Sequence, residues 1–260
     1  MIKHTVLITG ASGGIGYELA KIFAKNGHDL ILVARNAEKL LVFAEELRTE
    51  YKVQVAAFAR DLTLLDQISE LYQVIQQEGI FIDFLINNAG MGDFGPFIES
   101  DWRKTQYMMQ LNMTSLTYLT HLFLQDMKKN GRGRIMNVAS LAAFQPGPDM
   151  AVYFATKAYV LHFSEALHHE LKKFDITVTS LCPGPTQSNF SEAASATSSN
   201  LFKFKNLPSA ASVAEYGFMA MMQGKRLAIP GFKNKVFAFF ARISPRTLVI
   251  QIAAMMNRQI

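Results

Sequence analysis

The chain has 260 residues, half of them hydrophobic and 18% charged, with a formal net charge of +5. A composition of this kind excludes disordered and fibrous classes and suits one large α/β domain with a buried sheet. A single cysteine, Cys182, excludes an internal disulfide and a paired-cysteine metal site, and the modest positive charge suits a small anionic ligand but argues no case for nucleic acid.

Apolar runs of strand length alternate with helical patterns along most of the chain, the mark of β-α-β units and a parallel sheet. Thr5–Thr9 is a predicted strand, followed by a helix over Gly14–Asn26 that Gly27 stops. Asp29–Ala34 is the second strand, Ala37–Glu50 the second helix, Val53–Phe58 the third strand and Leu64–Gln77 the third helix. Phe81–Asn87 reads as the fourth strand, and one long helix runs from about Asp101 to Lys129. Arg134–Val138 is the fifth strand, Met150–Lys173 a helix and Ile176–Leu181 the sixth strand. The strands are nearly continuous in apolar residues, as expected when helices cover both faces. A Rossmann-type, doubly wound parallel sheet in a single domain, 1–260, is the expected architecture.

Between the first strand and first helix lies Thr9-Gly10-Ala11-Ser12-Gly13-Gly14-Ile15-Gly16. Strand, glycine turn and helix start in that order make a dinucleotide site. Gly10 permits the tight turn, Gly14 lets the backbone approach a pyrophosphate, and Gly16 lets helix pack on strand. The unpaired N–H groups of the helix start attract the anion. A plain tight β-α turn is the alternative reading of these glycines taken alone.

Further motifs follow in order: Asp61-Leu62 after the third strand and Asn87-Asn88-Ala89-Gly90 closing the fourth. Ser140 comes next, then Tyr153-Phe154-Ala155-Thr156-Lys157 and Pro183-Gly184. Together with T-G-x-x-x-G-I-G, this series resembles the short-chain dehydrogenase/reductase family over about residues 3 to 190. The resemblance implies an NAD(P)-dependent oxidoreductase that moves a hydride between the nicotinamide and a carbonyl or alcohol. It implies adenine seated at Asp61 and Leu62, and cofactor contacts from Ile15, Asn88, Ala89, Gly90, Pro183, Gly184 and Ser188. Serine at 188 departs from the family's more usual threonine but keeps the hydroxyl. Ser140 is implied to hydrogen-bond the substrate oxygen. Asn112 is implied to hold a water in a relay to Lys157, and Lys157 to bind the nicotinamide ribose. A homodimer or homotetramer is also implied.

Taken alone, a tyrosine and a lysine four apart on a helix read as a surface pair, and a serine after a strand as a turn residue; behind the glycine fingerprint and N-N-A-G they fit the chemistry. Tyr153 and Lys157 stand four apart on a predicted helix, so both project from one face. Tyrosine is a poor acid-base group with a reference pKa of about 10; a nearby ammonium favours the phenolate and tunes it downward. Tyr153 is thus the expected general acid/base. The second strand ends Val33-Ala34-Arg35-Asn36 with no carboxylate for a ribose 2′-hydroxyl, and Asp29 stands at its opposite end. Arg35, helped by Ser12, is expected to hold a 2′-phosphate, so NADP(H) is favoured over NAD(H). A dinucleotide-binding regulator without chemistry is the rival reading, and an epimerase or dehydratase with no net cofactor consumption a second. No metal is expected, since the six histidines are scattered without a carboxylate cluster.

The segment Pro183–Ser209 is small and polar and reads as a lid, about 185–209. Met91, Phe94, Phe97, Leu141, Phe144 and Phe190 are candidates for an apolar pocket suited to a hydrophobic ketone, aldehyde or 3-oxoacyl substrate. Helical patterning returns over about 210–260, with a short strand candidate at Leu227–Ile229. After Glu215 there is no Asp or Glu, yet seven Lys and Arg are interleaved with Phe, Leu, Ile and Met. These helices are expected to cover the cleft or an oligomer interface; weak peripheral contact with an anionic membrane is the other reading. The start of the chain leaves no room for a cleavable leader, and a cytoplasmic location is expected.

Overall fold

The computed structural model describes residues 3–188, 190 and 207–257. Strands β1 (Thr5–Thr9), β2 (Asp29–Ala34), β3 (Val55–Ala59), β4 (Phe84–Asn87), β5 (Gly133–Val138), β6 (Ile176–Leu181) and β7 (Leu227–Ala228) form one sheet in the order β3-β2-β1-β4-β5-β6-β7. Every pairing is parallel. The strand order reverses between β1 and β4, which opens a crevice at the carboxyl ends of those two strands, where open α/β sheets bind ligands.

Alternation along each strand sends neighbours to opposite faces. Val6, Ile8, Leu30 and Leu32 pack against helices α1 (Gly14–Lys25) and α2 (Ala37–Tyr51). Leu7, Ile31, Val33 and Leu85 pack against α3 (Leu65–Gln77) and the helix α5 (Leu116–Asn130). With both faces covered, β1, β2 and β4 run almost continuously apolar, as the sequence indicated, whereas β6 alternates Ile176-Thr177-Val178-Thr179. The remaining helices are α4 (Trp102–Met109), α6 (Ala151–Glu170), α7 (Ala210–Met222), α8 (Phe232–Ile243) and α9 (Arg246–Asn257).

Several boundaries differ from expectation for physical reasons. β4 begins at Phe84, three residues later than expected; Asp83 just before it donates its N–H to the Thr5 carbonyl, and its carboxylate accepts from the Thr5 N–H and pairs with Arg132. β3 begins at Val55 because Lys52 takes the left-handed conformation that caps α2. α6 stops at Glu170, and a 3₁₀ turn, Lys172–Phe174, carries the chain to β6.

The largest difference lies in the helix expected over 101–129. It is interrupted by a π-helical turn, Gln110–Ser115, between α4 and α5. Ser115 Oγ donates to the carbonyls of Gln110, five residues back, and of Leu62. Such turns widen a helix locally and recur at functional sites. This one carries Asn112.

Candidate active site

The end of β1 is tied to the end of β4 by one threonine and one asparagine. Thr9 Oγ1 accepts the N–H groups of Asn88 and Ala89, both at 3.0 Å. Asn88 Nδ2 donates to the carbonyls of Thr9 and Gly10. Gly10, at φ +66°, sits so close that a β-carbon would fall 2.9 Å from Ala89 Cα. A β-carbon on Gly16 would collide with Asn88 Nδ2 and come within 2.5 Å of the Gly10 carbonyl oxygen. The glycines expected for a tight turn and for close packing therefore stand where nothing larger fits.

Gly13 precedes α1 and, lacking a side chain, supplies no capping oxygen to the first-turn N–H groups. Those groups and the helix dipole are left for an anion. Gly14, at φ +56°, has only Ser188 Cβ nearby. The residues present thus fit a dinucleotide: a bare positive helix start, glycines in contact with backbone, and a cleft running on from them.

That cleft has a volume of about 450 Å³. Gly10, Ser12, Gly14 and Ile15 form one end, and Asn88, Ala89 and Gly90 the floor. Ser140, Tyr153 and Lys157 line another part of it, and Pro183, Gly184 and Ser188 line it as well. Gly16 and Asn112 support the cleft from behind. Arg35, Asp61 and Leu62 do not line it. Leu62 is buried, its carbonyl accepting from Ser115.

Arg35 is exposed just past the end of β2 and engaged by a residue the sequence did not single out. Tyr107 of α4 accepts from Arg35 Nη1 at 3.0 Å and donates to Asp61 Oδ1 at 3.1 Å, while the guanidinium lies 5.6 Å from the ring centroid. Burial pushes the Asp61 carboxyl up, but hydrogen bonds from Thr63 and Tyr107 and the Arg35 charge outweigh it and hold it below its ordinary value. Asn36 and Lys39 also line the cleft here. Asn36 caps α2, accepting the Lys39 N–H at 2.9 Å, so the Lys39 side chain leaves the first turn of that helix. Its spacing, four residues after Arg35, was the signal available for it.

At the other end, α6 presents Tyr153 and Lys157 and the chain after β5 presents Ser140. Ser140 Oγ accepts the Ala142 N–H at 3.1 Å and starts a 3₁₀ turn, Leu141–Phe144. Tyr153 is buried against Phe154 and Phe190, ring centroids 6.1 and 5.4 Å away. Burial pushes its phenol up to about 12, with a hydrogen bond to Ser140 pulling weakly down. Lys157 Nζ donates to the Val138 carbonyl at 2.8 Å and lies 5.9 Å from the Tyr153 ring centroid. Burial brings the lysine down to about 8. The sequence expectation of a phenol depressed by its lysine is therefore corrected: desolvation of both groups is the stronger effect, and the phenol holds its proton.

Asn112 closes the site from the π-helical turn. Its Oδ1 accepts the Met91 N–H, and its Nδ2 donates to the Met91 carbonyl and to Thr156 Oγ1. Gly90 lies between this amide and the lysine; a β-carbon there would stand 3.2 Å from Asn112 Oδ1 and 3.3 Å from Lys157 Nζ. Asn87 has a different task. Its amide donates to Thr120 and Asn137, and Asn137 donates to Ser164, a buried chain that ties β4 and β5 to α5 and α6.

Of the apolar candidates, Leu141 and Phe190 line the cleft, while Met91 and Phe94 pack behind Tyr153. Phe144 packs in the cluster around Val160. Phe97 belongs instead to a 3₁₀ turn, Phe97–Glu99, and is 60% exposed. Met150, Phe237 and Met256 line the cleft without having been foreseen. Most of the expected lid, residues 189 and 191–206, lies outside the described residues.

Sheet order, glycine turn and a Ser-Tyr-Lys wall define a dinucleotide-binding oxidoreductase. Residues 4–199 match the family described as short chain dehydrogenase, and the chain belongs to that family. It is 34% identical over 176 residues to a very-long-chain 3-oxoacyl-CoA reductase of Coprinopsis cinerea, covering 66% of this chain and 51% of that protein, so it spans about half of that relative's length. Among solved structures, a short-chain dehydrogenase from Sphingobium yanoikuyae in complex with NADPH superposes with a TM-score of 0.82 at 33% identity, covering 88% of each chain. A bulky-bulky ketone specific alcohol dehydrogenase from Comamonas testosteroni superposes with a TM-score of 0.79 at 30% identity over 92% of each. Among the described residues no helix is long and apolar enough to cross a membrane.

Proposed function

We propose that this oxidoreductase uses NADP(H) to reduce a hydrophobic ketone or 3-oxoacyl thioester, or to oxidise the matching alcohol. When bound, the nicotinamide supplies or takes up the hydride. Tyr153 supplies the proton: it is the acidic side chain buried in the cleft beside Ser140, and as a phenol it enters the reaction protonated. Ser140 stabilises the substrate oxygen as negative charge builds on it. The Lys157 ammonium, buried and 5.9 Å from the Tyr153 ring centroid, favours the forming phenolate through its charge. Asn112 keeps Met91 and Gly90 in place beneath that lysine, and its remaining acceptor lone pair is the place for a relay water.

The preference for NADP(H) rests on Arg35 with Lys39, two cations at the adenosine end, where β2 ends without a carboxylate of its own and the neighbouring Asp61 is already engaged by Tyr107 and Thr63. Asp29 is removed from contention, since it pairs with Lys3 and accepts the Gln54 N–H at the far edge. The substrate class rests on Leu141, Met150, Phe154 and Phe190 around Tyr153 and agrees with what the names of the Coprinopsis and Comamonas proteins say of them.

The observation that carries the reading is the convergence of Ser140, Tyr153 and Lys157 on one cleft with the uncapped start of α1. NADPH absorbance followed across a panel of short, bulky and acyl-thioester carbonyls tests it. Net loss of NADPH, steepest with the larger apolar carbonyls, is expected. Tight NADPH binding without consumption for any carbonyl overturns it in favour of a regulator or an epimerase.

A further inference from the structure

Helix α8 divides its residues into two apolar faces. Asn234, Phe237, Ala238 and Ala241 point inward, at the i, i+3, i+4, i+7 spacing of a core-facing stripe. Phe237 lines the cleft, and Asn234 sits against Gly184, where a β-carbon would lie 2.9 Å from its Nδ2. The opposite face carries Phe232, Val236, Phe239, Phe240 and Ile243, all exposed, Phe232 by 81%. A helix at the edge of a soluble protein ordinarily turns polar residues to that side.

α9 repeats the arrangement. Val249, Ala253 and Asn257 are buried, Met256 lines the cleft, and the Asn257 amide donates to the Pro148 carbonyl. Leu248, Ile250, Ile252 and Met255 are exposed. Nine large apolar side chains exposed on two short helices mark an interaction site rather than scattered surface residues.

The charge around this surface selects its occupant. Lys233, Lys235, Arg242 and Arg246 are exposed on the same two helices, and the chain has no Asp or Glu after Glu215. A second copy docked through a two-fold axis would set these cations against their own equivalents. An anionic lipid surface meets both features at once: headgroups for the cations and acyl chains for the apolar side chains. Each helix is 12 residues long, too short to span a bilayer and suited to lying in its plane.

We infer that α8 and α9 seat the protein on an anionic membrane surface, with the same helices walling the cleft from inside. Apolar substrate then reaches the cleft from the bilayer beside Phe237 and Met256. The docking itself stands without the catalytic reading; only this route of substrate entry rests on it.

The test is co-sedimentation of the full chain with vesicles of phosphatidylcholine alone or with about 30 mol% phosphatidylserine. The wild type is expected to pellet with the anionic vesicles at low salt and to be released as salt rises. Each Lys or Arg near the surface contributes about fivefold to partitioning, so K233E/K235E/R242E, which removes three cations, lowers it by ~100-fold or more. F239D/F240D lowers it comparably, with a melting temperature near that of the wild type. Hydrogen exchange on the wild type gives a readout independent of any variant: residues 232–257 gain protection on anionic vesicles and on no others. Absence of pelleting at low salt, or unchanged exchange in 232–257, overturns the proposal. So does light scattering that shows F239D/F240D converting a dimer to a monomer, which assigns the face to a second copy.

Discussion

The two ends of the cleft are built from different materials. At the dinucleotide end the surface is backbone: Gly10 and Gly16 sit where side chains do not fit, Gly14 holds a left-handed φ of +56°, and Thr9 and Asn88 pin two strand ends with four hydrogen bonds. At the substrate end the surface is side chain: Tyr153, Phe154, Phe190, Phe237 and Met256 arrive from α6, the segment after Pro183 and two C-terminal helices. The first end recognises a ligand part of fixed shape, and its tolerance for change is small. The second confines a proton donor in apolar surroundings, and its lining can vary without disturbing the fold. Binding and chemistry are therefore separable by mutation.

Substitutions on the reactive wall carry the largest effects. Ser140→Ala removes the hydroxyl proposed to stabilise the substrate oxygen and is expected to lower turnover by about 10²–10³-fold. NADPH affinity, measured by fluorescence titration, stays near that of the wild type. Equal losses in both quantities would show that the two ends are not separable.

Lys157 sharpens the same contrast through pH. Its folded-state value of about 8 lies below its ordinary 10.5, so between those values the unfolded chain binds the extra proton and stability rises with pH. Lys157→Met removes the buried charge. Its stability is expected to exceed that of the wild type at neutral pH by ~3 kcal/mol, an upper figure from the pKa displacement. The gap closes as pH rises through 8 toward 10.5. Thermal melts of both proteins across that range check it, and a gap independent of pH contradicts it.

At the dinucleotide end the effects are smaller and selective. Arg35→Ala should weaken NADPH by ~1.5–3 kcal/mol, the range for hydrogen bonds to a charged group, and leave NADH nearly unchanged. Tyr107→Phe keeps the ring but removes the hydroxyl that links Arg35 to Asp61. Its expected effect is a two- to tenfold loss for NADPH, from a net hydrogen-bond contribution of about 0.5–1.5 kcal/mol. Isothermal titration with both cofactors separates these outcomes. Loss of NADPH and NADH in equal measure from Arg35→Ala would remove the arginine from cofactor selection.

What the sequence made legible follows the same division. The glycine turn, Asn88-Ala89-Gly90 and the Tyr153–Lys157 pair are local patterns whose spacing carries their geometry, and the structure brings all of them to the cleft. The strand and helix order was equally legible, because two-sided burial leaves continuous apolar runs. The Tyr107 bridge was not, since Arg35, Asp61 and Tyr107 come from three separate elements and meet only after the sheet forms. Nor was the π-helical turn at 110–115, which depends on Ser115 reaching the Leu62 carbonyl across the fold. Phe97 shows the limit from the other side: an apolar residue just past a motif read as pocket lining, and a 3₁₀ turn faces it outward. The pKa of Tyr153 was misjudged because charge proximity is visible in a spacing of four, whereas desolvation is not.

The central claim is that Tyr153 does the proton chemistry on a cofactor bound elsewhere. Single-turnover oxidation of prebound NADPH by a saturating hydrophobic ketone, in wild type and Tyr153→Phe, tests it most directly. The claim predicts equal NADPH dissociation constants and a rate about 10²–10⁴-fold lower in the variant. A variant that consumes NADPH at close to the wild-type rate would contradict it.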